Sequence, residues 1–164
     1  MKKLLFAVTA AAVILTSCEK QNVTPDKGEY VYYEPCLNWG ADQDAVYNYM
    51  AGLDGWKEEN DEKSESHLAF TNTKTNANMN YTFNSEGLSA AGVTYFGVND
   101  KFETMKSDIS SHNGITSWRD QQVMAGVTWF TAGITDKSCE VSVGWSDNLG
   151  GYMYADYTFS HFIF

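Results

Sequence analysis

Few side chains in this sequence are spaced for chemistry. Nucleophilic catalysis needs a thiol or hydroxyl partnered by a base. Neither Cys36 nor Cys139 has a base near it in the chain, and there is no Gly-x-Ser-x-Gly, no phosphate-cradling glycine loop and no His-Glu-x-x-His. The three histidines are scattered: His67 opens a strand pattern, His112 ends a helical one, and His161 shares a strand face with Phe159 and Ile163, as a sheet histidine would. Asp42 with Asp44, and the acidic run over 58–65, lack the ligand spacing of a calcium loop. No carboxylate pair stands out for glycoside hydrolysis. The expectation is a protein without catalytic residues, metal or cofactor, one that acts by binding.

The remaining cysteine has a different setting. Lys2 and Lys3 precede an apolar stretch, Leu4–Leu15, too short to span a bilayer and read as a signal-peptide core. It ends in Leu15-Thr16-Ser17-Cys18, which resembles the bacterial lipoprotein box: an aliphatic residue, two small ones, then cysteine. The resemblance implies cleavage before Cys18, a diacylglyceryl group on its sulfur, and a multi-chain lipid anchor that holds stably where one chain would not. Residues 1–17 are then the signal peptide, and 18–28, polar and aperiodic, a flexible tether. The expected location is the bacterial cell envelope, on the outer membrane, with the side left open.

Removal of residues 1–17 leaves 147 of 164 residues, enough for one domain with a real core, here 29–164. All 21 acidic residues remain, against 9 basic ones once Lys2 and Lys3 are gone, a net charge of about −12. Such a chain is repelled by phosphate backbones, which excludes nucleic acid as a partner. With Cys18 lipidated, Cys36 and Cys139 remain in an oxidising compartment. A disulfide between them would close a loop of about 100 residues and contribute about 4 kcal/mol in the chain-entropy model. The alternative is two buried thiols, since cysteine packs well in cores.

Two helical patterns interrupt alternating β-type sequence. In the first, over 42–51, Asp42 is the N-cap, Val46, Tyr49 and Met50 make the apolar stripe, and Gly52 is the stop. The second spans about 99–112, with Phe102, Met105 and Ile109 on one face and Gly114 as terminator. Met79, Tyr81 and Phe83 alternate with polar residues, as do Cys139, Val141, Val143 and Trp145. The stretches 88–96 and 123–132 are apolar on both sides and read as central strands; 84–87 and 147–151 read as hairpin turns, and 29–33 as a short edge strand. The order helix, four strands, helix, four strands suggests two halves, 29–98 and 99–164, offset by roughly 60 residues.

Gly40-Ala41-Asp42-Gln43-Asp44-Ala45-Val46, followed by Met50-Ala51-Gly52 and strands, resembles the start of a half-unit in the family of the β-lactamase inhibitory protein and small outer-membrane assembly lipoproteins. Tyr33-Glu34-Pro35 running into Leu37-Asn38-Trp39-Gly40 resembles small lipoproteins of the Bacteroides type. The resemblance implies an α+β domain of two helix-plus-antiparallel-sheet halves.

Aromatic residues carry the binding expectation. Trp56 shares a strand face with Asp54 and Glu58, Trp118 with Thr116 and Asp120, and Tyr152 and Tyr154 with Asp156, Thr158 and Ser160. If helices cover one sheet face, these four would line the other and bind a protein partner, or alternatively a cell-surface glycan. The competing reading is that this face simply packs on neighbouring side chains.

Overall fold

The structure, a computed structural model, describes residues 29–160. Cys18, the expected signal peptide and tether, and His161 lie outside the described residues. Helix α1 (Gln43–Ala51) precedes strands β1 (Trp56–Glu58), β2 (His67–Asn72), β3 (Ala77–Asn84) and β4 (Gly87–Phe96). Helix α2 (Phe102–Asn113) then precedes β5 (Gln122–Met124), β6 (Val127–Ile134), β7 (Cys139–Ser146) and β8 (Tyr152–Phe159). The strands form one antiparallel sheet in the order β1-β2-β3-β4-β8-β7-β6-β5. It is an α+β domain, mostly sheet, in which each meander of four strands follows its own helix.

Both helices form where the sequence places their signals. The Asp42 carboxylate accepts the Ala45 N–H at 2.9 Å, which satisfies one orphan donor of α1 and is worth about 1 kcal/mol. Val46 and Met50, one turn apart, are buried, and the Tyr47 ring meets Phe70 edge-on at 5.7 Å. Helix α2 buries Phe102, Met105 and Ile109, stacks Phe102 on Phe130 of β6 at 6.0 Å, and ends at Gly114 in the left-handed region. Both helices therefore lie on the sheet face formed by Phe70, Tyr81, Val93, Tyr157, Val143 and Phe130. Each large apolar side chain buried there contributes roughly 1.5–3 kcal/mol.

The expected edge strand at 29–33 is not formed. Residues 29–38 instead run as an irregular strap on the helix side of the sheet. Its polar groups are taken by side chains of the sheet: Tyr95 Oη accepts the Tyr33 N–H at 3.2 Å and Tyr81 Oη accepts the Cys36 N–H at 3.1 Å. Tyr30 donates to Asp108 of α2, Trp39 Nε1 donates to the Lys137 carbonyl, and Lys137 Nζ reaches Glu34 Oε1 at 2.5 Å. Aromatic bodies with polar tips suit this interior position better than an exposed edge.

The stretch 123–132 is likewise not a central strand. Ala125 and Gly126, with φ of +54° and +79°, turn it into the β5–β6 hairpin at the sheet margin. Val123 and Met124 are 65% and 55% exposed there. The expected disulfide is corrected as well: Cys36 and Cys139 are free thiols. Both are buried, at 6% and 0% exposure, and pack as small apolar residues in the core. Alkylation under non-reducing conditions is expected to modify both only once denaturant is added; a mass two protons lower and no alkylation in denaturant would restore the bridge.

The Gly40 motif has a mechanical role. The Gly40 N–H donates to the Leu88 carbonyl at 3.0 Å and the Leu88 N–H to the Ala41 carbonyl at 2.8 Å, so the lead-in to α1 is stapled to the β3–β4 hairpin. The close approach needs glycine at 87: its φ is +101°, and a Cβ would lie 2.3 Å from the Gly40 carbonyl oxygen. Gly87→Ala is expected to cost about 2–4 kcal/mol in urea unfolding. Gly114→Ala, where a Cβ meets no atom, should cost only about 1 kcal/mol. Equal costs would show that the staple contributes nothing.

Candidate functional site

Side chains alternate along a strand and cross-strand partners share a face, so the register assigns every residue to a side of the sheet. The helix side is filled as described. On the other side no helix packs among the described residues, and two adjacent rows define what it presents. One row runs Trp129, Gly144, Tyr154, Thr94 and Asn78 across β6, β7, β8, β4 and β3. The next runs Thr131, Ser142, Asp156, Gly92 and Asn80 across the same strands. Above them Tyr152 pairs with Phe96, and its ring stacks on Tyr154 at 6.4 Å.

Two of the four sequence-predicted aromatics are here and two are not. Tyr152 and Tyr154 lie on the open face. Trp56 pairs with Asn72 and Glu58 with Phe70, which puts Trp56 on the helix side, edge-on to Tyr33 at 5.1 Å. The charged neighbours that suggested an outward face are accounted for locally, because Glu58 accepts the Tyr47 hydroxyl and pairs with Lys63 at 3.3 Å. Trp118 sits in the connection after α2 and donates Nε1 to Ser110 Oγ of that helix at 2.9 Å. In their place the register adds Trp129 and Phe96. Both lie in stretches apolar on two sides, where periodicity carries no facing information.

Two glycines shape the floor. A Cβ on Gly144 would fall 2.6 Å from the Tyr154 hydroxyl oxygen and 2.7 Å from its ring, and one on Gly92 would fall 2.3 Å from Asp156 Oδ1. Tyr154 thus lies flat across β7 while Asp156 leans across β4. Asp156 is partly exposed, but the packed strands around it remove enough water to push its carboxyl up to about 7. The Tyr154 hydroxyl is pushed upward by burial and then by the Asp156 charge. No cation lies within ion-pair distance of Asp156 among the described residues; the nearby Glu140 is held by Arg119 at 2.5 Å.

This arrangement offers stacking surface, hydroxyl and amide hydrogen-bonding groups and one titratable acid. Among the described residues no three potential metal ligands converge. A separate depression of about 650 Å³ beside the end of α2 is lined by His112, Trp118, Arg119 and Cys139. Burial pushes the Cys139 thiol up to about 12, so it stays protonated and poorly nucleophilic, and His112 Nδ1 lies 2.8 Å from the Asp108 carbonyl oxygen. No known protein family, curated protein or solved structure matches this chain.

The carboxyl shift has a sign that can be measured. Asp156 has a folded-state pKa near 7 against 3.8 when unfolded, so the folded protein binds the extra proton between these values. Its stability contribution is therefore lost as pH rises through 7. Asp156→Asn is expected to raise stability at pH 8 by about 2 kcal/mol, discounted for partial exposure, and to change it little at pH 4. Melting curves that shift equally at both pH values would contradict the assignment.

Proposed function

We propose that the protein is a lipid-anchored envelope lipoprotein that holds a protein partner against the open face of its sheet. The observation that carries this reading is the asymmetry of the sheet. One face is sealed by two helices and a strap, while the other presents Phe96, Trp129, Tyr152 and Tyr154 with a largely buried acid, Asp156, on the same face. Aromatic anchors set among hydrogen-bonding residues are what partner surfaces use. The anchor is supported by Leu15-Thr16-Ser17-Cys18 after a basic start and a short apolar stretch. The element order, helix then four antiparallel strands, twice, agrees with the two halves implied by the β-lactamase inhibitory protein resemblance, and we read the domain that way. The alternative, a cell-surface glycan, draws on the same aromatic face.

Two experiments test the proposal. Cys18→Ala should abolish palmitate labelling and release the protein from the membrane fraction; unchanged partition would rule out the anchor. A photoreactive phenylalanine analogue placed at Asn78 or Thr131 should give a discrete cross-linked product in intact envelopes, and one at Glu103 on α2 should not. Products from Glu103 alone would put the partner on the wrong side.

A further inference from the structure

We propose that Asp156, on the same sheet face as Tyr154, Tyr152 and Trp129, is a receptor for one lysine or arginine side chain presented by a protein partner. This rests on the open face being the binding surface and names the chemistry of what it takes. Three observations carry it. Asp156 stands on β8, one of the two central strands, with its carboxylate leaning over Gly92 and partly exposed to solvent. None of the four ion pairs among the described residues reaches it; they join Lys63 to Glu58, Lys101 to Asp100, Arg119 to Glu140 and Lys137 to Glu34. An acid so placed, without a cation, costs the fold stability, so its compensation is to be sought in a bound state.

The second observation is the neighbouring rings. Tyr154 lies two residues before Asp156 on the same face and stacks on Tyr152, and Trp129 is two strands away in the Tyr154 row. Rings that share a face with a carboxylate, a strand or two away, can cover the apolar stem of a long basic side chain whose cation reaches the acid, which a bare ion does not supply. A divalent metal is disfavoured because no second and third ligand converge here among the described residues. The third observation is charge. At about −12 for the chain from Cys18, the body attracts basic segments at a distance, and Asp156 gives that attraction a fixed point of register.

The test is a random peptide library selected on the immobilised domain, followed by affinity measurements on wild type, Asp156→Asn, Trp129→Ala and Trp118→Ala, each checked by its melting curve. The selected peptides are expected to share one lysine or arginine. Its replacement by glutamine, or Asp156→Asn, should each weaken binding at least tenfold, with no further loss when the two are combined; Trp118→Ala should change nothing. Peptides that need Trp129 but bind Asp156→Asn unchanged would overturn the basic-side-chain receptor and leave the open face standing as the surface. Peptides indifferent to both Trp129 and Asp156, or no selected peptide at all, would overturn the open-face reading as well. A glycan array whose signal needs Trp129 and Asp156, where peptides fail, would reassign the site to sugars and refute the proposal.

Discussion

Everything in this fold depends on the pairing of β4 with β8. Residues 90–96 run antiparallel to 152–158 over seven partners, the strand pairing that joins the two meanders into one sheet. Strands so distant in sequence carry a loop-closure cost that local hairpins avoid. The offset comes from the residues the pairing buries: Ala91, Val93 and Tyr95 on one strand, Met153, Ala155 and Tyr157 on the other. The same register fixes the opposite face. A slip by one residue would turn Tyr154 and Asp156 into the core and Met153 and Ala155 out of it. Core and candidate site are therefore specified together.

The two faces use their polar groups differently. On the helix side tyrosine hydroxyls tie the strap to the sheet: Tyr81 Oη accepts the Cys36 N–H and lies within 3.1 Å of the Met50 sulfur, and Tyr49 donates to the Glu34 carbonyl at 2.6 Å. The Glu34–Lys137 pair reaches from the strap to the second meander. On the open side the Asp156 carboxylate stands without a cation among the described residues, over a glycine that leaves it room. A fold selected only for stability would fill that position with threonine or valine; proteins commonly give up stability in this way where a surface is used.

Much of this was legible in the residues themselves. Asp42, Gly52, Phe102, Met105, Ile109 and Gly114 state both helices, and alternation states β3, β7 and β8, hence Tyr152 and Tyr154. The failures share a cause. Ala125 adopts a positive φ that its side chain gives no reason to expect, so the β5–β6 turn was hidden and Val123–Ala132 read as one strand. Trp129 lies inside that stretch, and a stretch apolar on both sides has no preferred face until its register is known. Trp56 failed in the opposite sense: Asp54 and Glu58 looked outward-facing, but at a three-residue edge strand a core-side acid can reach Tyr47 and Lys63. Long-range pairing, not local pattern, decides which aromatics meet.

The central claim is that the open face, and not the helix side, is covered when the protein is at work. Hydroxyl-radical footprinting of the aromatic residues in intact envelopes, set against the purified domain, tests it most directly. The account predicts that Trp129, Tyr152 and Tyr154 are oxidised several-fold more slowly in the envelope while Trp118 is unchanged. Equal rates for the three, or protection of Trp118 alone, would contradict it.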